Sequence, residues 1–194
     1  MKTAYQYNRK HTYKDYLNWN DDKRREIIEG IVYDMSPSPS RQHQEISIEL
    51  ASQMRVFLRG KSCHVYAAPF DVRLPLEGEN EDEIDTIVQP DIIVVCNESL
   101  LDDKGCKGAP DLIIEILSPS SAAKDLKEKF FLYEKHGVRE YWIVYPHEQI
   151  VHVCKLNENG LYSRPEIYAS KDKIAVKLLG DLVIDLNPVF EISQ

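Results

Sequence analysis

The stretch DLIIEIL, Asp111 to Leu117, constrains the fold of this chain more than any other. Its apolar residues call for an interior β-strand, and side chains along a strand alternate between faces. Asp111, Ile113, Glu115 and Leu117 therefore share one face, and Leu112, Ile114 and Ile116 share the other. Glu115 carries a carboxylate into the middle of a strand that is apolar on both sides. Burying an unpaired charge there costs several kcal/mol or more. A lysine or arginine, a proton or a metal ion has to compensate.

Two further places break their own pattern. In VQPDIIVV, Asp91 follows Pro90 at the mouth of a second apolar strand. An aspartate after proline also commonly opens a strand or turn, so alone it says little. Beside Glu115 it says more, because two carboxylates at neighbouring strand ends repel unless a cation lies between them. Such hard oxygen ligands suit Mg²⁺, with Mn²⁺ as a substitute. The other place is the helix AAKDLKEKFFLYEKHG. At about 100° per residue its inward stripe is Ala122, Leu126, Phe130 and Tyr133. Lys124 and Lys135 fall nearly opposite, whereas Lys129 flanks the stripe and is the lysine expected on the core side. Snorkelling over apolar surface is its alternative role.

The earlier helix, Arg41 to Leu58, repeats Ile46, Leu50, Met54 and Phe57 at helical spacing, with Ser40 placed to cap it. His43 lies at the centre of that buried face, Glu45 away from it and Glu49 at its margin. A histidine there is a hydrogen-bonded core residue, or an acid, base or phosphate contact. The rest of the chain reads as a short helix (His11 to Trp19), a hairpin about Glu29-Gly30 and a loop SPSPS. A strand near His64 to Leu74, an acidic solvated loop EGENEDEID, strands Val88 to Cys96 and Asp111 to Leu117, the lysine-bearing helix and the strand EYWIVYP come next. Alternating segments from Gln149 onward read as antiparallel strands. The class is α/β: a mixed central β-sheet flanked by helices, with a β-rich C-terminal extension.

With 194 residues, 43% of them hydrophobic, one core and a single domain over 1–194 are expected. Neither a signal-peptide pattern at the N-terminus nor an apolar run of roughly 18 residues is present, which leads to the expectation of a cytoplasmic chain with no membrane partner. Cys63, Cys96, Cys106 and Cys154 form no CxxC pair and are expected as small apolar residues, not as a zinc site or a disulfide framework. The net charge of −8 argues against a passive nucleic-acid coat but leaves room for an enzyme with a local basic groove.

The segments VQPDIIVV, GAPDLIIEILSPSS and KDLKEKFFLYEKHGVREYWIVYP, with the earlier EIIEGIVYDMSPSPSRQHQEIS, resemble the Uma-two family of putative restriction endonucleases, in that family's order and over roughly Tyr13 to Leu156. The resemblance implies a restriction-endonuclease-like core of the PD-(D/E)XK superfamily. It implies Mg²⁺ between the PD aspartate, here Asp91, and the strand glutamate, here Glu115, with a backbone carbonyl near Ile116. Asp111 matches a second PD that is not a ligand. The superfamily's lysine two residues after the glutamate is replaced by Leu117, and Lys129 of the following helix fits its role. Gln89 and His43 stand at the site margin, with Glu26 of the hairpin a third. The implied reaction is hydrolysis of DNA phosphodiesters, by a homodimer where both strands are cut. Two alternatives remain open: a weak or inactive DNA-binding accessory module on the same fold, and an unrelated α+β protein in which Glu115 and Lys129 form only a buried salt bridge.

Overall fold

The computed structural model describes residues 10–21, 23–35, 38–119 and 122–191. The N-terminal residues 1–9 and part of the SPSPS and SPSS loops lie outside the described residues. In chain order the elements are α1 (Tyr13–Leu17), β1 (Arg25–Ile28), β2 (Ile31–Asp34), α2 (Arg41–Leu58), β3 (His64–Ala67), β4 (Val72–Arg73), β5 (Ile87–Val88) and β6 (Ile92–Val95). There follow β7 (Leu101–Asp102), β8 (Gly105–Lys107), β9 (Leu112–Ile116), α3 (Ala122–Lys124), a π-helical turn at Asp125–Lys129, and α4 (Phe130–Lys135). The chain ends with β10 (Glu140–Tyr145), β11 (Ile150–Lys155), β12 (Glu166–Ala169), β13 (Lys173–Ala175), β14 (Val183–Asp185) and α5 (Leu186–Phe190).

Two mixed six-stranded sheets result, where the sequence reads as one. The first runs β2-β1-β5-β4-β8-β7 and the second β12-β11-β10-β9-β6-β3. Prolines explain the division. Pro69 lies between β3 and β4, and Pro90 between β5 and β6. Proline has no N–H for a ladder, so a strand passing through it is interrupted. At each interruption the chain leaves one sheet and enters the other. The run His64 to Leu74 is thus two strands, as is Val88 to Cys96. The loop SLLDDKGCKGAP closes its own small hairpin, β7 with β8. The C-terminal strands β11 and β12 widen the second sheet, and the β13–β14 ribbon stands apart as a two-stranded pair.

The alternation on β6 and β9 then sorts the core. Ile92, Val94, Leu112, Ile114 and Ile116 pack with Ile46, Leu50, Met54 and Leu58 of α2 and with α5. Ile93, Val95 and Ile113 pack on the opposite face, against Val72, Leu74 and Val88 of the first sheet region and Leu132 and Tyr133 of α4. The second sheet is therefore covered by α2 on one side and by the first sheet on the other. The expected hairpin is present, turning at Glu29 (φ 50°) and Gly30 (φ 84°), the left-handed pair a two-residue type I′ turn requires. Ser40 caps α2 through a 3.2 Å bond from the His43 N–H. Leu58, not Phe57, is the fully buried residue of its last turn.

The cysteine expectation needs correction. Cys63 and Cys96 extend the antiparallel register of β3 and β6 by one residue and are joined in a disulfide, while Cys106 and Cys154 are free and buried. Cross-strand proximity, invisible in a pattern without CxxC, brings the pair together. No helix among the described residues is long and apolar enough to cross a membrane.

The two faces of α2 differ enough to test its orientation. Leu50 is fully buried, whereas Ile48 is 64% exposed. Leu50→Ala is expected to cost about 2–5 kcal/mol through the cavity it leaves, and Ile48→Ala to stay within about 0.5 kcal/mol. Urea unfolding midpoints of the two variants compare these directly.

Candidate active site

A cleft of about 1390 Å³ opens where the N-terminal end of α2 meets the ends of the two sheets. Glu115, Asp91, His43, Gln89, Lys124, Asp125 and Lys129 all line it. The register of β6 against β9 pairs Ile92 with Ile114, so Asp91 falls opposite Glu115, one residue beyond the end of the paired ladder. Side chains so opposed start about 4.5–5.5 Å apart at Cβ. The sheet switch at Pro90 is what leaves Asp91 at this strand mouth.

Lys129 answers the question posed by Glu115. Its Nζ lies 2.7 Å from Glu115 Oε1 and 2.8 Å from Glu26 Oε1, and 3.6 Å from Asp125 Oδ1. The Tyr133 hydroxyl donates to the same Glu115 oxygen at 2.7 Å. Glu26, on β1 of the first sheet, is fully buried; it also accepts from Lys124 Nζ and, at 3.1 Å, from the Gln89 N–H. A single buried ammonium thus ties a carboxylate of one sheet to a carboxylate of the other. Gln89 is held in turn by Arg24, which donates to its Oε1, and by Asp71, which accepts from its Nε2 at 2.7 Å.

Asp91 is oriented separately. Its Oδ2 accepts from the Ile116 N–H at 2.7 Å and lies 3.2 Å from His43 Nε2. Burial alone would lower the His43 pKa, but the Asp91 carboxylate and the Ile116 carbonyl outweigh it and raise it above the ordinary 6.5. Burial also drives Glu115 upward, to about 8; Lys129 opposes this, and the like charges of Asp125, Asp91 and Glu26 add to it. Glu26 goes the other way, because Lys129 and Lys124 override its burial and hold it well below the usual carboxylate range. Of the two acids sharing Lys129, Glu26 keeps its charge firmly and Glu115 is the one that retains a proton readily.

Whether these donors suit a divalent ion depends on their number and kind. Among the described residues, no group of three or more His, Cys, Asp or Glu side chains converges in a metal-holding arrangement, so no closed protein cage exists here. Mg²⁺ does not need one: one or two carboxylates suffice, with water and substrate phosphate completing the shell. Four carboxylates (Glu26, Asp91, Glu115 and Asp125) face two lysines and one imidazole, and the contacts named above use one oxygen each of Asp91 and Glu115. The residues present fit Mg²⁺ or Mn²⁺.

The structure brings together Asp91, Glu115, Lys129, His43 and Gln89, the residues the sequence singles out. Ile116 adjoins them through its main chain, and Asp111 lies elsewhere, accepting from the Cys96 N–H and from Arg139. Glu26, marginal in the sequence reading, is central. The rule that finds Glu115, a charge within an apolar strand, applies equally to Glu26 in REII. The helical wheel needs correction. Leu126, expected inward, is 41% exposed, while Asp125 and Lys129 are buried and Lys124, expected outward, reaches Glu26. The π-turn over Asp125–Lys129 rotates the face that α-helical spacing predicts. Such turns carry no sequence pattern that the 3.6-residue period detects.

Comparisons with known proteins agree on one neighbourhood. The model of the Uma2 family, described as "Putative restriction endonuclease", matches residues 13–187. The uncharacterized protein slr1290 of Synechocystis sp. is 25% identical over 170 residues, covering 86% of this chain and 85% of that protein. The crystal structure of a putative nuclease belonging to DUF820 from Anabaena variabilis superposes with a TM-score of 0.72 at 21% identity, covering 92% of this chain and 97% of that one. That likeness establishes the nuclease-like fold.

Two measurements probe the site. Removing the shared cation by Lys129→Met leaves two buried carboxylates facing each other and is expected to cost about 3–5 kcal/mol in calorimetric stability. For His43, the folded value lies above the unfolded one. Its contribution is therefore complete below pH 6.5 and fades as pH rises through the folded value. An NMR titration without divalent ions should place the His43 midpoint above 6.5, and Asp91→Asn should lower it, because burial is then opposed mainly by the Ile116 carbonyl.

Proposed function

This chain belongs to the Uma2 family of putative restriction endonucleases, and we propose that it is a divalent-metal-dependent endonuclease hydrolysing DNA phosphodiester bonds. The observation that carries this reading is the pairing of Asp91 and Glu115 on adjacent strands at the floor of an open cleft, with the Lys129 ammonium 2.7 Å from Glu115. Asp91 and Glu115, with the main chain at Ile116, would hold Mg²⁺ or Mn²⁺. Such an ion would supply Lewis acidity toward water and a phosphoryl oxygen.

The chain's own groups do the rest. The Ile116 N–H fixes Asp91, so that its second oxygen can face the cleft. Lys129 keeps its proton because Glu115, Glu26 and Asp125 outweigh its burial, and it places a fixed positive charge where negative charge builds on the phosphorus oxygens. Glu26 and Gln89 act as positioning residues: Glu26 anchors Lys129, and the Gln89 N–H anchors Glu26. His43, protonated to a higher pH than a free imidazole, can donate a proton or a hydrogen bond to a phosphate oxygen beside Asp91.

A second reading draws on the same ion pairs. Lys129 is already satisfied by two carboxylates, as in a purely structural network, which would make the chain a DNA-binding module without cleavage. Plasmid nicking in Mg²⁺ or Mn²⁺ separates the two. The enzyme reading expects nicking that disappears with chelation and falls by orders of magnitude in Asp91→Ala and Glu115→Ala. Equal nicking by all three proteins would mark a contaminant, and no Mn²⁺ uptake by calorimetry would favour the module. Because Glu115 must lose its proton to bind an ion, Mn²⁺ affinity is expected to strengthen as pH rises toward about 8.

A further inference from the structure

The same cleft carries a second charge pattern, outside the carboxylate cluster. Arg41, Gln44, Ile48, Ser52, Arg55 and Arg59 line it along α2 and are all exposed. They follow one another at three- or four-residue steps, which puts them on one helical face. The buried side of the helix is the stripe Ile46, Leu50, Met54 and Leu58. Arg41 has a 3.8 Å contact with Glu45; Arg55 and Arg59 form no ion pair with a described residue. Away from the cluster, Asp34 is the acidic residue among the described lining, against Arg24, Arg41, Arg55 and Arg59. In a chain of net charge −8, this wall carries three exposed arginines in a row, of which Arg55 and Arg59 are free of ion pairs with described residues.

We propose that this face of α2 is the track for the phosphate backbone of duplex DNA on one side of the scissile phosphate, with Arg41, Arg55 and Arg59 as its phosphate contacts. The position of the cut rests on the nuclease reading above; the grip itself does not. From His43, beside Asp91, to Arg59 the helix rises about 24 Å at about 1.5 Å per residue. Laid along the axis of duplex DNA, which rises about 3.4 Å per base pair, this face spans about seven base pairs, and its arginines meet phosphates where the strands cross it. Guanidinium forks match phosphate oxygens in pairs and hold the backbone without reading sequence. Ile48, exposed between Arg41 and Arg55, offers an apolar contact of the kind sugar edges accept. An acidic protein surface is the competing partner, but cations set in a row along one helical face match a regularly charged polyanion better than the irregular carboxylates of a folded surface.

The test uses the full chain in chelator, where nothing is cut, and a fluorescently labelled duplex of about 20 base pairs, long enough to span the track. Anisotropy over about 50 to 200 mM salt gives the slope of log affinity against log salt, which changes by about 0.9 for each phosphate that is no longer neutralised. Arg55→Ala with Arg59→Ala is expected to flatten that slope by about two and weaken binding at low salt, with thermal melting unchanged. Arg164→Ala, an exposed arginine outside the cleft, should leave the slope alone. In Mg²⁺ the double variant should raise KM for a duplex and spare kcat. An unaltered slope, wild-type protein that fails to bind duplex at low salt, or arginine-dependent binding of polyglutamate but not DNA would each overturn the track. A flattened slope without any metal-dependent nicking would sink the nuclease reading and leave the track standing.

Discussion

The Lys129 ammonium between Glu26 and Glu115 is the contact on which the arrangement of this protein turns. It is buried, and so are both carboxylates. Taking three ionisable groups out of water is costly, and well-packed apolar residues of the same volume would often be as stable or more so. The fold accepts that cost at the base of an open cleft, and acids perturbed by burial beside a specific charge partner cluster at functional sites. Each partner comes from a different layer: Glu26 from the first sheet, Glu115 from the second, and Lys129 from the helix that crosses behind them. One ion triad therefore fixes the mutual position of three layers and the electrostatics of the site.

The prolines supply the geometry that the triad needs. Interruption at Pro69 and Pro90 sends the chain from sheet to sheet, and the strand mouth created at Pro90 is where Asp91 stands. Gln89, one residue earlier, belongs to the first sheet's side of that switch and reaches Glu26. The two sides of Pro90 thus contribute to one site from two sheets. Across the cleft, α2 brings His43 to Asp91 at its first turn and continues as an arginine-bearing wall. An acidic floor beside a basic wall is what the proposed function calls on: a polyanion would meet the arginines as it approached a cation held by the carboxylates, even though the chain as a whole is negatively charged.

Much of the site is legible in the chain because the relevant residues violate local rules. Glu115 is conspicuous in DLIIEIL, Asp91 after Pro90 at a strand mouth, and His43 on an apolar helical stripe. Lys129 stands out in the same way although its helix does not follow the regular period; its inward place survives the π-turn, whereas those of Leu126 and Lys124 do not. Glu26 is harder to see because four residues of β1 make a short context, in which a charge looks like an ordinary edge residue. The Cys63–Cys96 pair lies beyond sequence reasoning altogether, since it depends on which strands become neighbours.

By itself, then, the sequence determined the alternating strands, the face that α2 buries, and the identity of the charges that require compensation. These follow from periods of two and about 3.6 residues and from the cost of buried charge, all of which act over short stretches of chain. Only the tertiary structure decided how those charges compensate one another. The split into two sheets, the π-turn and the meeting of Glu26 with Lys129 depend on contacts between residues distant in the chain, and no local period encodes which distant carboxylate an ammonium will meet.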